Sequence, residues 1–292
     1  MLNGAAYSRR MGRVTRRTPA HRIDLGGPEG PRVVARPDTV AVEEPLEVRV
    51  GGTSLAVTMR TPGDDFDLAI GFLLTEGLIG GASDVRHLMH CLDEGEDGRP
   101  TYNVVDVTLS EGVQPPPASA ARDFYTTSSC GICGKASIDA ITTRSRYPVA
   151  QDPLRLSPDV VAGLPAALRK QQKVFDRTGG LHAAGLFTGE GELLAVREDV
   201  GRHNAVDKVL GWAAREGRVP LAGHVLAVSG RASFELTQKA LMAGVPVLAA
   251  VSAPSSLAVE LATEAGMTLV GFVRDPRMTV YAGAERLGLT AG

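Results

Sequence analysis

Two thiols spaced C-x-x-C, Cys130 and Cys133 in SSCGICGK, are the side chains of this sequence best suited to covalent chemistry. Gly131 and Gly134 allow a tight or mobile backbone around them. The following KASIDAITT has helical character, so a helix N-terminus and Lys135 would lower the thiol pKa and favour the nucleophilic thiolate. Only Ile132 is apolar beside the pair, which argues against a buried structural role. Three chemistries use such a pair. A zinc half-site needs two more ligands, and there is no second C-x-x-C; the third cysteine, Cys91, sits in HLMHC with His87 and His90, a strand-like segment that cannot turn all three side chains to one face. A dithiol redox pair should follow a strand near the start of a βαβ pattern, whereas this one follows a proline-rich stretch in mid-chain. Sulfur transfer through a persulfide uses the same attack at sulfur, with the second thiol as a resolving group. The pair alone does not separate the last two.

The second half offers groups for an anionic ligand. Gly201 is followed by Arg202, His203 and Asn204 at a predicted helix start, which suits an anionic or guanine-like group, although capping by Asn204 or Asp199 explains the same residues. In SGRASFE, Arg231 sits between a predicted strand and a helix for which Ser233 is a natural N-cap. FVRDPR adds Arg274 and Arg277 at the end of the last parallel strand, where open α/β sheets bind ligands. Three such loops with arginines predict a phosphate-bearing ligand. A zinc deaminase reading fails, because His182-Ala183-Ala184 lacks the catalytic Glu and the cysteine pair precedes it. His182 is otherwise equally a packed histidine.

The elements that position these groups follow from patterning. Gly51-Gly52 between two alternating runs over 38–60 predicts a hairpin. DDFDLAIGFLLTEG predicts a helix with Asp64, Asp65 and Asp67 capping its start rather than binding metal. Strands are expected at 84–91 and 102–109, and Ser157-Pro158-Asp159 opens a helix running to about Phe175, interrupted at Pro165. Residues 183–188 and 193–198 form a hairpin across GEG. Apolar strands then begin at Val225, Val247 and Leu269, 22 residues apart, with helical stretches between them. That rhythm predicts a parallel sheet with right-handed crossovers. The domain expectation is a disordered basic tail (1–30), a small α+β unit (31–112), a linker with the C-x-x-C loop (113–137) and an α/β ligand-binding domain (138–292).

The 292 residues are 43% hydrophobic and 22% charged, which excludes gross disorder, and three cysteines are too few for a disulfide scaffold. A reducing compartment follows. The net charge of −2 hides six arginines within residues 1–22, leaving 25 basic against 33 acidic residues elsewhere, so no general polyanion surface and no DNA partner are expected. Arg9-Arg10 lacks the apolar stretch of an export signal. The uncharged run 240–259 carries two prolines and a serine cluster, which suits a buried strand between helices and not a membrane span.

Taken together, TTSSCGICGK, TGGLHAAGLF, REDVGRHNAVDKVLG, SGRASFELTQKALMAGVPVLAAVSAPSSLAVELA and FVRDPRMTVYA resemble the formate dehydrogenase accessory sulfurtransferase family (FdhD), over roughly residues 38–285. The resemblance implies a cytoplasmic sulfur carrier and a cytidine-deaminase-like C-terminal half with a mainly parallel sheet. A cysteine desulfurase would load Cys130 as a persulfide, with Cys133 assisting or resolving. Sulfur would pass to the molybdenum bis(molybdopterin guanine dinucleotide) cofactor before its insertion into formate dehydrogenase. The family's cofactor-binding stretch falls on Phe272, Val273, Arg274, Asp275, Pro276 and Arg277; Gly201, Arg202, His203, Asn204 and Arg231 join it by loop position. No resident metal is expected, and a homodimer is the expected assembly. A thiol-disulfide oxidoreductase and a non-catalytic cofactor chaperone are the alternatives. The basic N-terminus lies outside the family pattern.

Overall fold

The structure, a computed structural model, describes residues 13–26, 30–91, 101–116 and 145–289. Its centre is a six-stranded sheet of order β10-β9-β11-β12-β13-β14. The strands are β9 (His182–Thr188), β10 (Leu193–Asp199), β11 (His224–Val228), β12 (Val247–Ala250), β13 (Thr268–Arg274) and β14 (Arg277–Ala282). The 22-residue rhythm does produce three parallel neighbours, paired Val225↔Val247 and Leu248↔Leu269. The sheet as a whole is mixed and not mainly parallel. β9 lies antiparallel to β11, and β14 folds back antiparallel on β13. The reason is loop length: the GEG and Asp275-Pro276 connections are hairpin turns, too short for a crossover.

Both faces of this sheet are buried. Val225, Ala227, Val247, Ala249, Val270 and Val273 enter one core with α2 (Pro158–Arg169), while Leu226, Val228, Leu248, Ala250 and Leu269 enter another. That strict alternation explains why these strands read as continuous apolar runs. The larger core takes in α4 (Arg202–Arg215), α5 (Phe234–Met242) and α6 (Ser256–Glu264). It continues without interruption through α1 (Asp65–Thr75) into a second sheet of order β6-β5-β8-β7. Here β5 (Glu44–Val50) and β6 (Thr53–Arg60) form the hairpin at Gly51-Gly52, and β7 (Val85–Cys91) pairs with β8 (Val104–Leu109).

Helices α1 and α4 meet backbone to backbone. A Cβ on Gly71 would overlap the carbonyl oxygen of Asp207, and one on Gly211 would overlap that of Asp67 and lie 2.6 Å from Gly71 N. Beside this crossing, Lys239 of α5 reaches Asp207 (2.9 Å) and Thr75 (2.9 Å), so three helices share one buried ion pair.

Several expectations need correction. Residues within the supposed tail are ordered as β1 (Thr15–Thr18) and β2 (His21–Asp24), which pair with β4 (Asp38–Ala41) and β3 (Arg32–Ala35) in an antiparallel ribbon. The three aspartates do stand at the start of α1, Asp64 as its N-cap residue and Asp65 and Asp67 in the first turn, but Asp64 makes no side-chain capping bond. They are ion-pair partners instead: Asp65 grips buried Arg60 through two oxygens (3.0 and 3.1 Å), and Asp67 holds Arg197 (2.9 Å) and Arg215 (2.6 Å). The long helix from Pro158 continues through Pro165 to Arg169, and α3 (Lys173–Thr178) follows after a turn. Cys91 stands on a strand as expected, but it is only half-buried.

Candidate functional site

The ends of the central strands converge on one edge of the sheet, and the connection there is a backbone ladder. Ser252 N donates to Gly230 O (3.2 Å), and Phe272 N donates to Ser252 O (3.2 Å). Ala232 N donates to Ala253 O (3.2 Å), and Ser255 N returns to Ala232 O (3.0 Å). The loops after β11 and β12 and the bulge in β13 are therefore one continuous surface. Ser229 fixes the next strand: its Oγ accepts from Ala183 N (2.9 Å), directly after His182.

Phe272 is the conformational outlier of this edge. It is a non-glycine residue at φ 51°, its side chain is 42% exposed, and the β13–β14 register shifts around it. Strained backbone combined with an aromatic ring left in solvent is typical of ligand contacts. The neighbouring Gly271 has no room for a side chain, since a Cβ would stand 3.0 Å from Pro254 Cδ and 3.0 Å from the Tyr281 ring. Beyond Phe272 the stretch divides. Val273 is buried in the core, whereas Arg274, Asp275, Pro276 and Arg277 form an exposed hairpin turn, with the two arginines paired in register.

The start of α4 divides in the same way. Asn204 is buried, and its amide is spent inside the protein: Nδ2 donates to Met59 O (2.8 Å) and Asp199 Oδ1 (3.1 Å), and Oδ1 accepts from Thr58 (3.2 Å). Gly201 N donates to Asp199 Oδ1 (2.8 Å) and packs against Asn204. Asp199 in turn pairs with buried Lys208 (2.7 Å). These residues hold the turn. Arg202 and His203 are left half-exposed on it, in the first turn of a helix that carries no acidic residue there. Cations at the positive end of a helix dipole cost stability and leave that end suited to an anion.

Two side chains complete the cluster, Glu235, which the sequence did not single out, and His182, which it left as either packed or functional. Glu235 of α5 receives a 2.6 Å contact from His203 Nε2, and that hydrogen bond holds its carboxyl below the usual range. His182 stands beside Gly230, where a Cβ would lie 3.5 Å from its Nδ1. Burial, and then the charges of Arg202 and His203, lower its pKa and favour the neutral ring. The sequence signals were present in TGGLHAAG and SGRASFE, yet each read equally as packing or capping. Arg231 lies exposed beside them.

The edge thus gathers His182, Arg202, His203, Arg231, Glu235 and Phe272, with Arg274 and Arg277 in the adjoining turn, a cluster of cations beside one exposed aromatic ring. Cys130 and Cys133 lie outside the described residues. Among the described residues no group of His, Cys, Asp and Glu is arranged to hold a metal ion, and no helix is long and apolar enough to cross a membrane.

Comparison with known proteins supplies a family. Residues 41–288 match the model of the FdhD/NarQ family. A protein of Streptomyces coelicolor named "Sulfur carrier protein FdhD" is 58% identical over 282 residues, covering 96% of this chain and 98% of its own. A Mycobacterium tuberculosis protein of the same name is 58% identical over 259 residues, covering 88% and 94%. A crystal structure named for a formate dehydrogenase accessory protein of Desulfotalea psychrophila superposes with a TM-score of 0.69 over 93% of this chain and 99% of that one, at 23% identity, and so shares the fold.

Proposed function

The chain belongs to the FdhD/NarQ family, and on that premise we propose that it is a sulfur carrier serving formate dehydrogenase. The observation that carries the proposal is the 58% identity, over almost the whole of both chains, to proteins named sulfur carriers. In this reading a cysteine desulfurase presents a persulfide. The Cys130 thiolate attacks its outer sulfur, the donor's S–S bond breaks, and the donor cysteine leaves as thiolate. Cys130 then bears the sulfur with no net change of oxidation state. Attack by the Cys133 thiolate on Cys130 Sγ releases that sulfur as sulfide to the molybdenum centre and leaves a Cys130–Cys133 disulfide, which a cellular dithiol returns to two thiols.

The molybdenum bis(molybdopterin guanine dinucleotide) is cargo in this scheme. The sheet edge supports such a ligand: Arg202, Arg231, Arg274 and Arg277 suit its pyrophosphate oxygens, and the exposed Phe272 ring suits stacking against guanine. The antiparallel hairpin leading into three parallel strands supports the cytidine-deaminase-like reading of this half. The reading places the protein in the cytoplasm, where thiols stay reduced, and as a homodimer.

The test is persulfide mapping after incubation with desulfurase and cysteine. Intact mass should rise by one sulfur, on the peptide holding Cys130. Cys130→Ala should abolish both the gain and the maturation of formate dehydrogenase. A Cys130→Ala protein that still supports maturation would sink the carrier reading and favour a non-catalytic chaperone. Disulfide reduction dependent on both cysteines and on no molybdenum enzyme would favour an oxidoreductase.

A further inference from the structure

The ordered N-terminal ribbon lies outside the matched family region, which begins at residue 41, yet the likeness to the Streptomyces coelicolor protein covers 96% of this chain and so takes in most of the ribbon. Its register is continuous from Thr15↔Ala41 to Asp24↔Arg32, which sets Pro19 opposite Pro37. Neither proline can donate to the ladder, so pairing breaks there and resumes at Arg36 N, which donates to Ala20 O (2.9 Å). At this break lies an open cleft of about 640 Å³, lined by Arg17, His21, Arg22, Arg36, Asp38 and Thr39 with Ala20 and Pro37. A regular pleat would send Arg17 and Arg22 to opposite faces; the interruption lets both line one cleft.

The charge of the cleft is one-sided. Three guanidiniums and an imidazole face a single carboxylate, Asp38, whose Oδ1 accepts from Thr39 N (2.7 Å). Arg17, Arg22 and Arg36 make no ion pair or side-chain hydrogen bond among the described residues. Like charges gathered without partners repel, and a bound anion offsets that cost. Arginine forks match phosphate oxygens in pairs. We propose that the ribbon cleft is a second anion site, distinct from the sheet edge, that binds a phosphate-bearing small molecule of about pyrophosphate size through Arg17, Arg22 and Arg36.

Calorimetric titration of the full chain with sodium pyrophosphate at low ionic strength tests this. Saturable binding is expected, weakened about tenfold or more by Arg17→Ala combined with Arg36→Ala. Arg36→Lys, which keeps the charge and loses the fork, should weaken it less. Arg16→Ala, which lies outside the cleft, should leave it unchanged. Circular dichroism on each variant confirms the fold. Absence of saturable binding overturns the proposal. So does binding lost with Arg274 and Arg277 but indifferent to Arg17 and Arg36. A single-stranded oligonucleotide that binds through the ribbon arginines while pyrophosphate does not would also overturn it, in favour of backbone tracking along a nucleic acid.

Discussion

His182 shows how one side chain records the electrostatics of the sheet edge. Its folded pKa is depressed, by burial first and then by Arg202 and His203, with Asp199 opposing. A depressed pKa means that the native state binds fewer protons than the unfolded chain once the pH falls below the ordinary histidine value near 6.5. The contribution is therefore intact above that value and is lost as the pH falls through it toward the lower folded pKa. His182→Gln removes this titration. Its stability relative to the wild type should rise as the pH is lowered from 7 toward 5, measured by urea unfolding at each pH (roughly the window in which histidines titrate). A constant difference across that range would show that His182 is not held neutral. Occupation of the edge by an anion should reverse part of the shift, because a negative ligand beside the ring screens Arg202 and His203.

At the scale of elements, the sequence displayed strands and helices far better than the contacts between them. The alternation of Val225 to Val228, the Ser157-Pro158 helix start and the Gly51-Gly52 hairpin are local signals, and each appears where the pattern set it. Asp65 and Asp67 read as caps because their arginine partners, Arg60, Arg197 and Arg215, are made neighbours only by folding. Glu235 drew no notice and His182 read equally as packing for the same reason, since their neighbours His203 and Arg202 are brought to them only by folding. Gly71 and Gly211, inside their helices, are where α1 and α4 touch. Gly71→Ala or Gly211→Ala should destabilise by at least about 3 kcal/mol, since the clashing atoms are backbone and cannot rotate away. Thermal denaturation checks this, and a change below about 1 kcal/mol would mean that the helices separate freely. The buried pair behind them behaves differently. Burial raises the Asp207 pKa against the pull of Lys239; burial also works to discharge Lys239, but Asp207 and Glu76 outweigh it and raise its pKa. Lys239→Met should cost about 3–5 kcal/mol by stranding the carboxylate, and adding Asp207→Leu should recover most of the loss. A double variant as unstable as the single one would show that the pair contributes more than mutual neutralisation.

Over the whole molecule, burial separates a body from an arm. The larger core runs from Leu46 on β5 through α1, α4, α5 and α6 to Ala282 on β14, so both sheets should melt together. No described residue from 13 to 41 is buried, and the ribbon rests on the body through contacts such as Arg177 Nη2 to Thr15 Oγ1 (2.9 Å) and the approach of Ala41 to Gly180. A two-stranded ribbon with Ile23 and Val33 facing each other in solvent, 61% and 60% exposed, contributes little apolar burial of its own. The ribbon therefore adds little to the stability of the body, and the anion cleft proposed above would give it a different role. Deleting residues 1–41 should leave a single cooperative transition with a midpoint within about 4 °C of the full chain, because less than about 1 kcal/mol of packing is removed. The same deletion should abolish pyrophosphate binding at the ribbon while persulfide loading of Cys130 persists. Calorimetric melting and mass spectrometry on one preparation read both outcomes. Collapse of the transition would make the ribbon part of the folding unit, and loss of persulfide loading would tie it to the carrier reaction itself.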